Sequence, residues 1–514
     1  MPAGASAQPD ANAMASASGG SLELGSAGVG PRAREEDPHE KVNNAVTATV
    51  TRVHLIGICG TAMATLAAML KRKGIDVRGS DQDMYPPMSE FLTAEGIPTF
   101  AGYRADHITA DLDLVVVGNA ISRGNPEVEE VLDRKIRYCS LPEAIREQFL
   151  WGAQSIVIAG THGKTTTTSL TGWLLAHGGM DPTVLVGGIA RNFGEQGSSY
   201  RMGQGRAFVI EGDEYDSAFF DKTAKFLKYL PDIAVITNVE FDHADIYADF
   251  DAVALAFRRL VNLVPRGGLL LLGADSPGAL ALKTGAVSRV ETFGLAEHVD
   301  WQGHDLEVAG AATRFRVRRG GQPYGEFELP LVGAFNVRNA LAAIAIAADA
   351  GVGVERIAAA LKLFAGVKRR LEVVGTSDGV TIYDDFAHHP TAVAETLAGL
   401  RAANPEARIW AVFEPRSASS CRKIFQDDFA RAFAGADEVI IARVFRSKLP
   451  DAERLSVSQL VGDLDSCGRP ARAADSVDDI IGAIVREHRP GDLVVIMSNG
   501  GFGGIHRKLL QALS

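Results

Sequence analysis

The chain is predicted to be an α/β protein of three doubly wound domains, and three observations carry that expectation. Short, β-branched apolar runs alternate with stretches of helical spacing from residue 49 to the end. Two of those runs, near residues 53 and 155, pass directly into a glycine-rich turn that opens a helix. Polar residues collect just after the apolar runs, and the carboxyl edge of an open parallel sheet is where ligands sit. A length of 514 residues fits two to four domains, at roughly 150 residues per domain. Apolar residues at 46% and charged residues at 22% are ordinary for a globular chain, so neither a disordered nor a fibrous class is indicated.

Charge and composition narrow the function. Lys and Arg number 52 against 63 Asp and Glu, a net charge of −11, which argues against nucleic-acid binding driven by bulk charge. No apolar run reaches the roughly 18 residues needed to cross a bilayer, and the first Arg is Arg32, so the basic start of a secretory signal is missing. We therefore expect no membrane partner and a cytoplasmic location. Cys59, Cys139, Cys421 and Cys467 are scattered without a C-x-x-C pair, which suits a reducing compartment. Residues 1–48 are rich in Ala, Gly and Ser and hold no aromatic residue. We read them as a disordered tail, too poor in apolar surface to offset its ordering entropy.

The first domain is placed over 49–150. Val53–Ile58 is a strand, Gly57 and Gly60 form the turn, and Thr61–Lys73 is a helix. A second strand ends at Gly79, Ser80 and Asp81, about twenty residues on, where an acidic side chain can meet a ribose or a base. The spacing is G-x-x-G rather than G-x-G-x-x-G, so a plain structural turn is the competing reading. The run LDLVVVGN ends in Asn119, again at a ligand-side edge. This is a Rossmann-like layout.

The second domain is placed over 151–366. Ser155–Ala159 is a buried strand, followed by Gly160, Thr161, His162, Gly163, Lys164, Thr165 and Thr166 and then a helix. Consecutive backbone N–H groups and a helix N-terminus there can wrap a triphosphate. Lys164 falls on the outer phosphates, and Thr165 or Thr166 offers a hydroxyl to Mg²⁺. This is a P-loop ATPase layout, shortened because Ile158 stands where the first glycine of the full motif belongs. Two further strands supply acids at their ends. One ends at Glu211, before Asp213, Glu214 and Asp216, and a carboxylate on a neighbouring strand is the usual protein ligand of a nucleotide Mg²⁺. The other ends in Asn238, Glu240, Asp242 and His243, and we give His243 a catalytic or metal role over that of a lone surface histidine. Asn336 and Asn339 share a helix face and can read a base edge, with simple N-capping by Asn336 as the bland alternative.

The third domain is placed over 367–514. Lys368, Arg369 and Arg370 lie in the linker that enters it, where arginines can clamp phosphate on domain closure or form a solvated charge run. A strand then ends in Asp384, Asp385, His388 and His389, and the next ends in Glu414 and Arg416. Strand, glycine-rich turn and helix repeat at the C-terminus, again Rossmann-like.

GTHGKTTTT, EGDEYD, NVEFDH, N-V-R-N, VKRRLE and DDFAHHP stand in the order and spacing of the Mur ligase family, and the resemblance runs from Val53 to the C-terminus. It implies an ATP-dependent ligase, forming an amide through an acyl phosphate, with ATP and Mg²⁺ as cofactors. GICGTAMATLA, FEPRS and SNGGFGGIH are most similar to members that join the carboxylate of UDP-N-acetylmuramate to a murein peptide, L-Ala-γ-D-Glu-meso-diaminopimelate. The implied setting is peptidoglycan recycling, with ligation of L-alanine in de novo synthesis as the alternative. By this resemblance Lys164 and its loop hold the β- and γ-phosphates, while Thr165 with Glu211 holds one Mg²⁺ and His243 a second. Asn336 and Asn339 meet adenine, and Arg369 or Arg370 and Asp385 reach ATP. His388 and Arg416 serve the peptide, and Gly57, Gly60, Ser80, Asp81 and Asn119 serve the UDP-sugar. Phe335 replaces a histidine common in the family, and Arg258 and Arg259 lie in the helix where some members carry a carboxylated lysine. Ser419 stands where the L-alanine ligases carry an arginine, which favours a peptide amine. A nicotinamide dehydrogenase and a P-loop switch are the readings from other classes, the first opposed by GKTTT and the second by the lack of N-K-x-D.

Overall fold

Near-continuous runs of Val, Ile and Leu make strands that must be covered on both faces, and three sheets of this kind organise the chain. The computed structural model describes residues 49–84, 87–445 and 449–514. The tail expected over 1–48 lies outside the described residues.

The first sheet contains β1 (Arg52–Ile56), β2 (Asp76–Asp81), β3 (Thr99–Ala101), β4 (Leu114–Val117) and β5 (Tyr138–Ser140). All are parallel, in the order β3-β2-β1-β4-β5, so the winding reverses between β1 and β4. The helix Thr61–Arg72 covers one face with Met63, Leu66, Ala67 and Leu70. Ile56, Val115, Val117 and Val128 form the core on the other.

The central sheet is larger. It contains β6 (Gln154–Ala159), β7 (Thr183–Ala190), β8 (Ser198–Arg201) and β9 (Ala207–Gly212), with β10 (Asp216–Ala218) and β11 (Asp221–Ala224) forming a separate hairpin. It continues with β12 (Ile233–Ile236), β13 (Leu269–Gly273), β14 (Arg289–Gly294), β15 (Trp301–Ala309), β16 (Ala312–Arg319) and β17 (Gln322–Leu329). The order is β17-β16-β15-β14-β13-β12-β6-β9-β7-β8. Strands β7, β9, β6 and β12–β15 are parallel, and the ends of the sheet are antiparallel. The antiparallel extension β15–β17 is an addition to the doubly wound expectation. Its period-2 signal is plain in β16, where Thr313, Phe315 and Val317 are buried between outward-facing Arg314, Arg316 and Arg318. The helices Lys164–His177 and Ala334–Asp349 lie on one face over a core that includes Leu170, Leu174, Val337 and Leu341.

The third sheet contains β18 (Glu372–Ser377), β19 (Val380–Asp385), β20 (Ile409–Phe413), β21 (Glu438–Ala442), β22 (Ala471–Ala474) and β23 (Leu493–Met497). Its order is β18-β19-β23-β20-β21-β22, with only β18 antiparallel. The segment entering it is stitched to β7: Ala190 bridges Val367, Arg191 N–H donates to Gly366 O, and Lys368 N–H donates to Ile189 O. The linker expected around 367–370 thus carries backbone pairing of its own. Among the described residues no helix is long and apolar enough to cross a membrane.

Candidate active site

Strand β6 delivers the chain into the turn 160–163, and the next residue, Lys164, starts a helix. Two glycines there are demanded by shape. A Cβ on Gly160 (φ +132°) would lie 2.0 Å from Thr237 Oγ1, and one on Gly163 (φ +82°) would lie 2.4 Å from Asn339 Oδ1. Asn238 fixes the turn by accepting the His162 N–H at 2.7 Å through Oδ1. The result is a backbone cradle at a helix N-terminus, the geometry suited to phosphates.

Lys164 is the electrostatic centre. Its Nζ donates to Gly160 O at 2.7 Å and to Glu214 Oε2 at 2.7 Å. Burial works to discharge this lysine, but the charges of Glu214 and Asp213 outweigh it and raise its pKa. Glu214, 2% exposed, also accepts from His243 Nε2 at 2.9 Å. Burial would raise the Glu214 pKa, yet Lys164 and His243 together hold it at about 2. Burial likewise opposes the charged form of His243, and Glu214 and Asp242 reverse that, raising its pKa. Lys164, Glu214 and His243 therefore form a buried chain in which each group favours the charged form of its neighbour.

Thr165 Oγ1 donates to Glu211 Oε1 at 3.0 Å, and Arg370 Nη2 donates to Thr165 Oγ1 at 3.1 Å. Burial and the neighbouring Asp213 raise the Glu211 pKa. A hydroxyl and a desolvated carboxylate side by side are hard oxygen donors that a small divalent cation suits. His243 is not beside this pair but on Glu214, so the three metal-ligand candidates form two groups joined through Lys164. In the sequence Glu214 is only one of several acids in a loop. Its position three residues after Glu211 is the signal that could have singled it out.

The other candidates divide. Asn336 and Asn339 are buried, and neither caps their helix, whose N-cap is Gly333. Asn336 Nδ2 donates to Val332 O, and Asn339 Oδ1 accepts from Thr167 Oγ1 at 3.2 Å, placing Asn339 against the phosphate turn. Arg369 and Arg370 part company. Arg369 (φ +61°) donates through Nη2 to Ser498 O at 2.6 Å and Gly500 O at 2.7 Å and pairs with Asp384, whereas Arg370 faces Thr165. Asp385 accepts the Leu371 and Ala387 N–H groups, and burial raises its pKa; it organises the loop that carries Phe386 and His388. His388 Nδ1 donates to Phe386 O at 2.9 Å, and burial lowers its pKa, leaving a neutral ring with a bare Nε2 located 4.0 Å from Asp242 Oδ2.

One cavity of about 920 Å³ collects these groups. Its walls include Thr61 and Met88 near the first sheet, the turn 161–166, Asn336 and Asn339 from the central region, and Arg370 and His388 from the third. Arg416 does not line it. That side chain stacks 3.7 Å from the Phe445 ring and lines a separate cavity of about 540 Å³ in the third sheet's region, so the structure parts Arg416 from His388.

The first-sheet candidates are likewise not in the large cavity. Gly57 and Gly60 form the β1 turn, and the Gly57 N–H donates to Ser80 O. Asp81 accepts from Cys59 N at 2.8 Å and from Tyr103 Oη at 3.2 Å, which ties it to that turn. Asn119 is exposed after β4. Ser80 has a fully buried hydroxyl that donates to Glu127, which also meets His54 and His107, and its carbonyl serves Gly57 and Ile58. It belongs to a core polar network under the sheet. The sequence reading missed Glu127, a buried acid inside what reads as an amphipathic helix.

Comparison with known proteins agrees with this architecture. Three family models match consecutive stretches: "Mur ligase family, catalytic domain" over 52–149, "Mur ligase middle domain" over 158–347, and "Mur ligase, glutamate ligase domain" over 369–500. The chain is similar to the UDP-N-acetylmuramate–L-alanyl-γ-D-glutamyl-meso-2,6-diaminoheptandioate ligase of Escherichia coli, at 41% identity over 90% of this chain and 98% of that one. It is 36% identical to a UDP-N-acetylmuramate–L-alanine ligase of Salinibacter ruber, over 88% and 92% of the two chains. Among solved structures, a murein peptide ligase from Psychrobacter arcticus matches with a TM-score of 0.67 and 36% identity, covering 90% and 98%. The UDP-N-acetylmuramate–alanine ligase of Thermotoga maritima matches with a TM-score of 0.73 and 25% identity, over the same shares. With models matching stretches between residues 52 and 500 and a relative 41% identical over nine-tenths of the chain, this protein belongs to the Mur ligase family.

Proposed function

We propose that the chain uses ATP to join the lactyl carboxylate of UDP-N-acetylmuramate to the amine of L-Ala-γ-D-Glu-meso-diaminopimelate, a peptidoglycan-recycling reaction of the cytoplasm. One observation carries it: a single cavity of about 920 Å³ contains the phosphate turn and is walled by residues of the central and third sheets' regions and by Thr61, Met88 and Phe91 from the helices beside the first sheet. A ligase with three substrates needs such a meeting point, and a switch or a simple hydrolase does not. The names of the relatives with 41% and 39% identity supply the substrates.

The reaction has two steps. A carboxylate oxygen attacks the γ-phosphorus, the bond to the β,γ-bridging oxygen breaks, and ADP leaves an acyl phosphate. The amine nitrogen then attacks the acyl carbon, the amine loses a proton, and phosphate departs. Positioning and charge neutralisation dominate the first step. In this reading the turn 160–166 holds the β- and γ-phosphates by backbone N–H groups, with Lys164 Nζ beside them. Arg370 adds a guanidinium on the Thr165 side. Thr165 and Glu211 would hold one Mg²⁺ and His243 would help hold another, supplying charge neutralisation at the phosphates and the carboxylate. For the second step, neutral His388 offers a bare Nε2 that can take the amine proton. Asn339 orients the base side of the nucleotide pocket, with Phe335 packed on Gly333 nearby. Ser419, in place of the arginine of the L-alanine ligases, supports a peptide amine: it is buried beside the Ala244 N–H, next to the Asp242–His243 turn.

The test is ADP release with UDP-N-acetylmuramate and L-alanine, dipeptide, tripeptide or tetrapeptide. The expected outcome is turnover with tripeptide and little with L-alanine. Equal or faster turnover with L-alanine assigns the chain to the de novo reaction instead.

A further inference from the structure

Away from Thr165, Glu211 and His243, three side chains converge from three segments. His162 comes from the phosphate turn, Glu240 follows β12, and His389 caps the helix Pro390–Ala403 beside the third sheet. His162 Nε2 lies 3.1 Å from His389 Nδ1 and 3.4 Å from Glu240 Oε2, and His389 Nδ1 lies 3.6 Å from that same oxygen. A tetrahedral ion with bonds of about 2.0–2.1 Å keeps its ligand atoms about 3.3 Å apart. The three distances bracket that edge length. Among the described residues this is the one group of three His, Cys, Asp or Glu whose ligand atoms all lie within 4.8 Å.

We propose that His162, Glu240 and His389 form a binding site for a zinc-type divalent cation that fastens the phosphate turn to the start of the third sheet's first helix.

The surroundings prepare these groups as ligands. His389 Nε2 lies 3.2 Å from Phe241 O, and a carbonyl can only accept, so the proton is on Nε2 and the lone pair is on Nδ1, where an ion would replace the long 3.3 Å cap bond from the Thr391 N–H. That is the outer hydrogen bond that fixes the tautomer of a metal-bound histidine. Thr391 Oγ1 donates to Glu240 Oε2 at 2.6 Å and orients the carboxylate. Without an ion, His162 fills the gap by donating its Nε2 proton to His389. On binding, that proton moves to His162 Nδ1 or to solvent. Two imidazoles and one carboxylate select zinc over magnesium, which prefers oxygen, and leave a fourth position for water. The two rings and the carboxylate are mostly buried, with side-chain exposures of 13%, 32% and 6% for His162, Glu240 and His389. Because the ligands come from both sides of the junction, the ion holds the third sheet's loop over the phosphate turn.

The test titrates the full-length protein with Co²⁺ in metal-free buffer, then displaces it with Zn²⁺. No substrate is present, so the outcome is independent of the ligase reading, which ADP release tests separately. The expected result is one Co²⁺ per chain with the intense visible bands of a four-coordinate ion and no thiolate charge-transfer band. Glu240→Gln and His389→Ala each weaken binding at least about 100-fold, and Thr391→Val, which removes only the orienting hydroxyl, weakens it about 10-fold. His304→Ala, on β15 and outside the cavity, leaves it unchanged. Circular dichroism checks each variant, and Glu240→Gln carries the test if His389→Ala does not fold. Absence of binding at micromolar metal, a thiolate band, a six-coordinate spectrum, or wild-type affinity in Glu240→Gln overturns the proposal.

Discussion

Glu214→Gln is the most informative single change, because Glu214 is the shared partner of Lys164 and His243. The wild-type carboxylate is 2% exposed and accepts two charge-assisted hydrogen bonds, at 2.7 and 2.9 Å. Each such bond contributes about 1.5–3 kcal/mol, and removing one partner of a buried pair costs about 3–5 kcal/mol. The amide keeps one acceptor for Lys164 but turns a donor toward His243, so the loss falls near the lower end, about 3 kcal/mol. For a unit of about 200 residues that is a fall of about 6–12 °C in thermal midpoint, read by calorimetry at pH 6 without nucleotide. The pH dependence follows from the direction of each shift. The Glu214 pKa is about 2 in the folded chain, below its unfolded value of about 4.3, so its contribution is complete above that value and is lost as pH falls toward 2. The His243 pKa is raised, so its contribution is complete below about 6.5 and is lost as pH rises through the folded-state value. The gap between wild type and variant should therefore be widest near pH 5–6 and shrink on either side. Replacing both ions, as Lys164→Met with Glu214→Leu, should restore most of the stability, since a buried pair exchanged for apolar groups is often neutral. A midpoint change under about 2 °C in Glu214→Gln, or a double variant no better than the single, refutes the argument.

Lys164→Ala should abolish ADP release while UDP-N-acetylmuramate affinity, measured by calorimetry, stays within about 2-fold, because in our reading the two ligands use different sheets. Arg370→Ala should lower kcat by about 10²-fold, since its guanidinium faces Thr165, whereas Arg369→Ala should act on thermal midpoint by removing bonds to Ser498 and Gly500; steady-state kinetics and calorimetry on both variants separate the two. Ser80→Ala should leave UDP-sugar affinity within about 2-fold and cost about 1–3 kcal/mol in denaturant unfolding, because it leaves Glu127 short of a buried donor. Chelation of divalent ions should stop ADP release, and Mg²⁺ should restore it in a titration; full turnover in chelator would refute the roles given to Thr165 and Glu211.

Much of the architecture was legible because buried strands and amphipathic helices leave periodic traces. The runs at 53–58 and 155–159 each announce a strand that passes into a turn, and the glycines at 160 and 163 announce a backbone approach too close for a side chain. The antiparallel β15–β17 was just as periodic, in Phe315 and Val317 between arginines, but carries no ligand-side polar residue to draw notice. Side-chain partnerships were harder. Arg369 and Arg370 are adjacent in sequence and point to different tasks, because a backbone in the left-handed region at Arg369 turns that side chain onto Ser498 and Gly500. His388 and His389 divide in the same way, one lining the large cavity and the other capping a helix and facing His162. Neighbours on a turn differ in direction, and direction is set by long-range contacts that no local pattern contains. Ser80 makes the same point: its place at a strand's carboxyl end is legible, but its partner Glu127, 47 residues on, is not.

The charge of the cavity shows why a net acidic chain can still handle anions. Lys164, Lys368, Arg338, Arg369 and Arg370 line it together with Glu211, Asp213, Asp242, Asp385 and Glu395, so cations and acids are matched in number. Several cations are already committed: Lys164 pairs with Glu214, Arg338 with Glu395, and Arg369 with Asp384. A triphosphate adds about four negative charges to a region whose lysine is neutralised in place, and desolvated like charges repel strongly. Two responses are open: release of Lys164 from Glu214 toward phosphate, or entry of divalent cations with the nucleotide. Glu211 favours the second, since its raised pKa marks a carboxylate that lacks sufficient positive charge nearby, and a cation beside Thr165 supplies it. In our proposed reading the acids that make the chain negative are part of how it accepts a more negative ligand, because they would recruit a divalent cation that the phosphates also need.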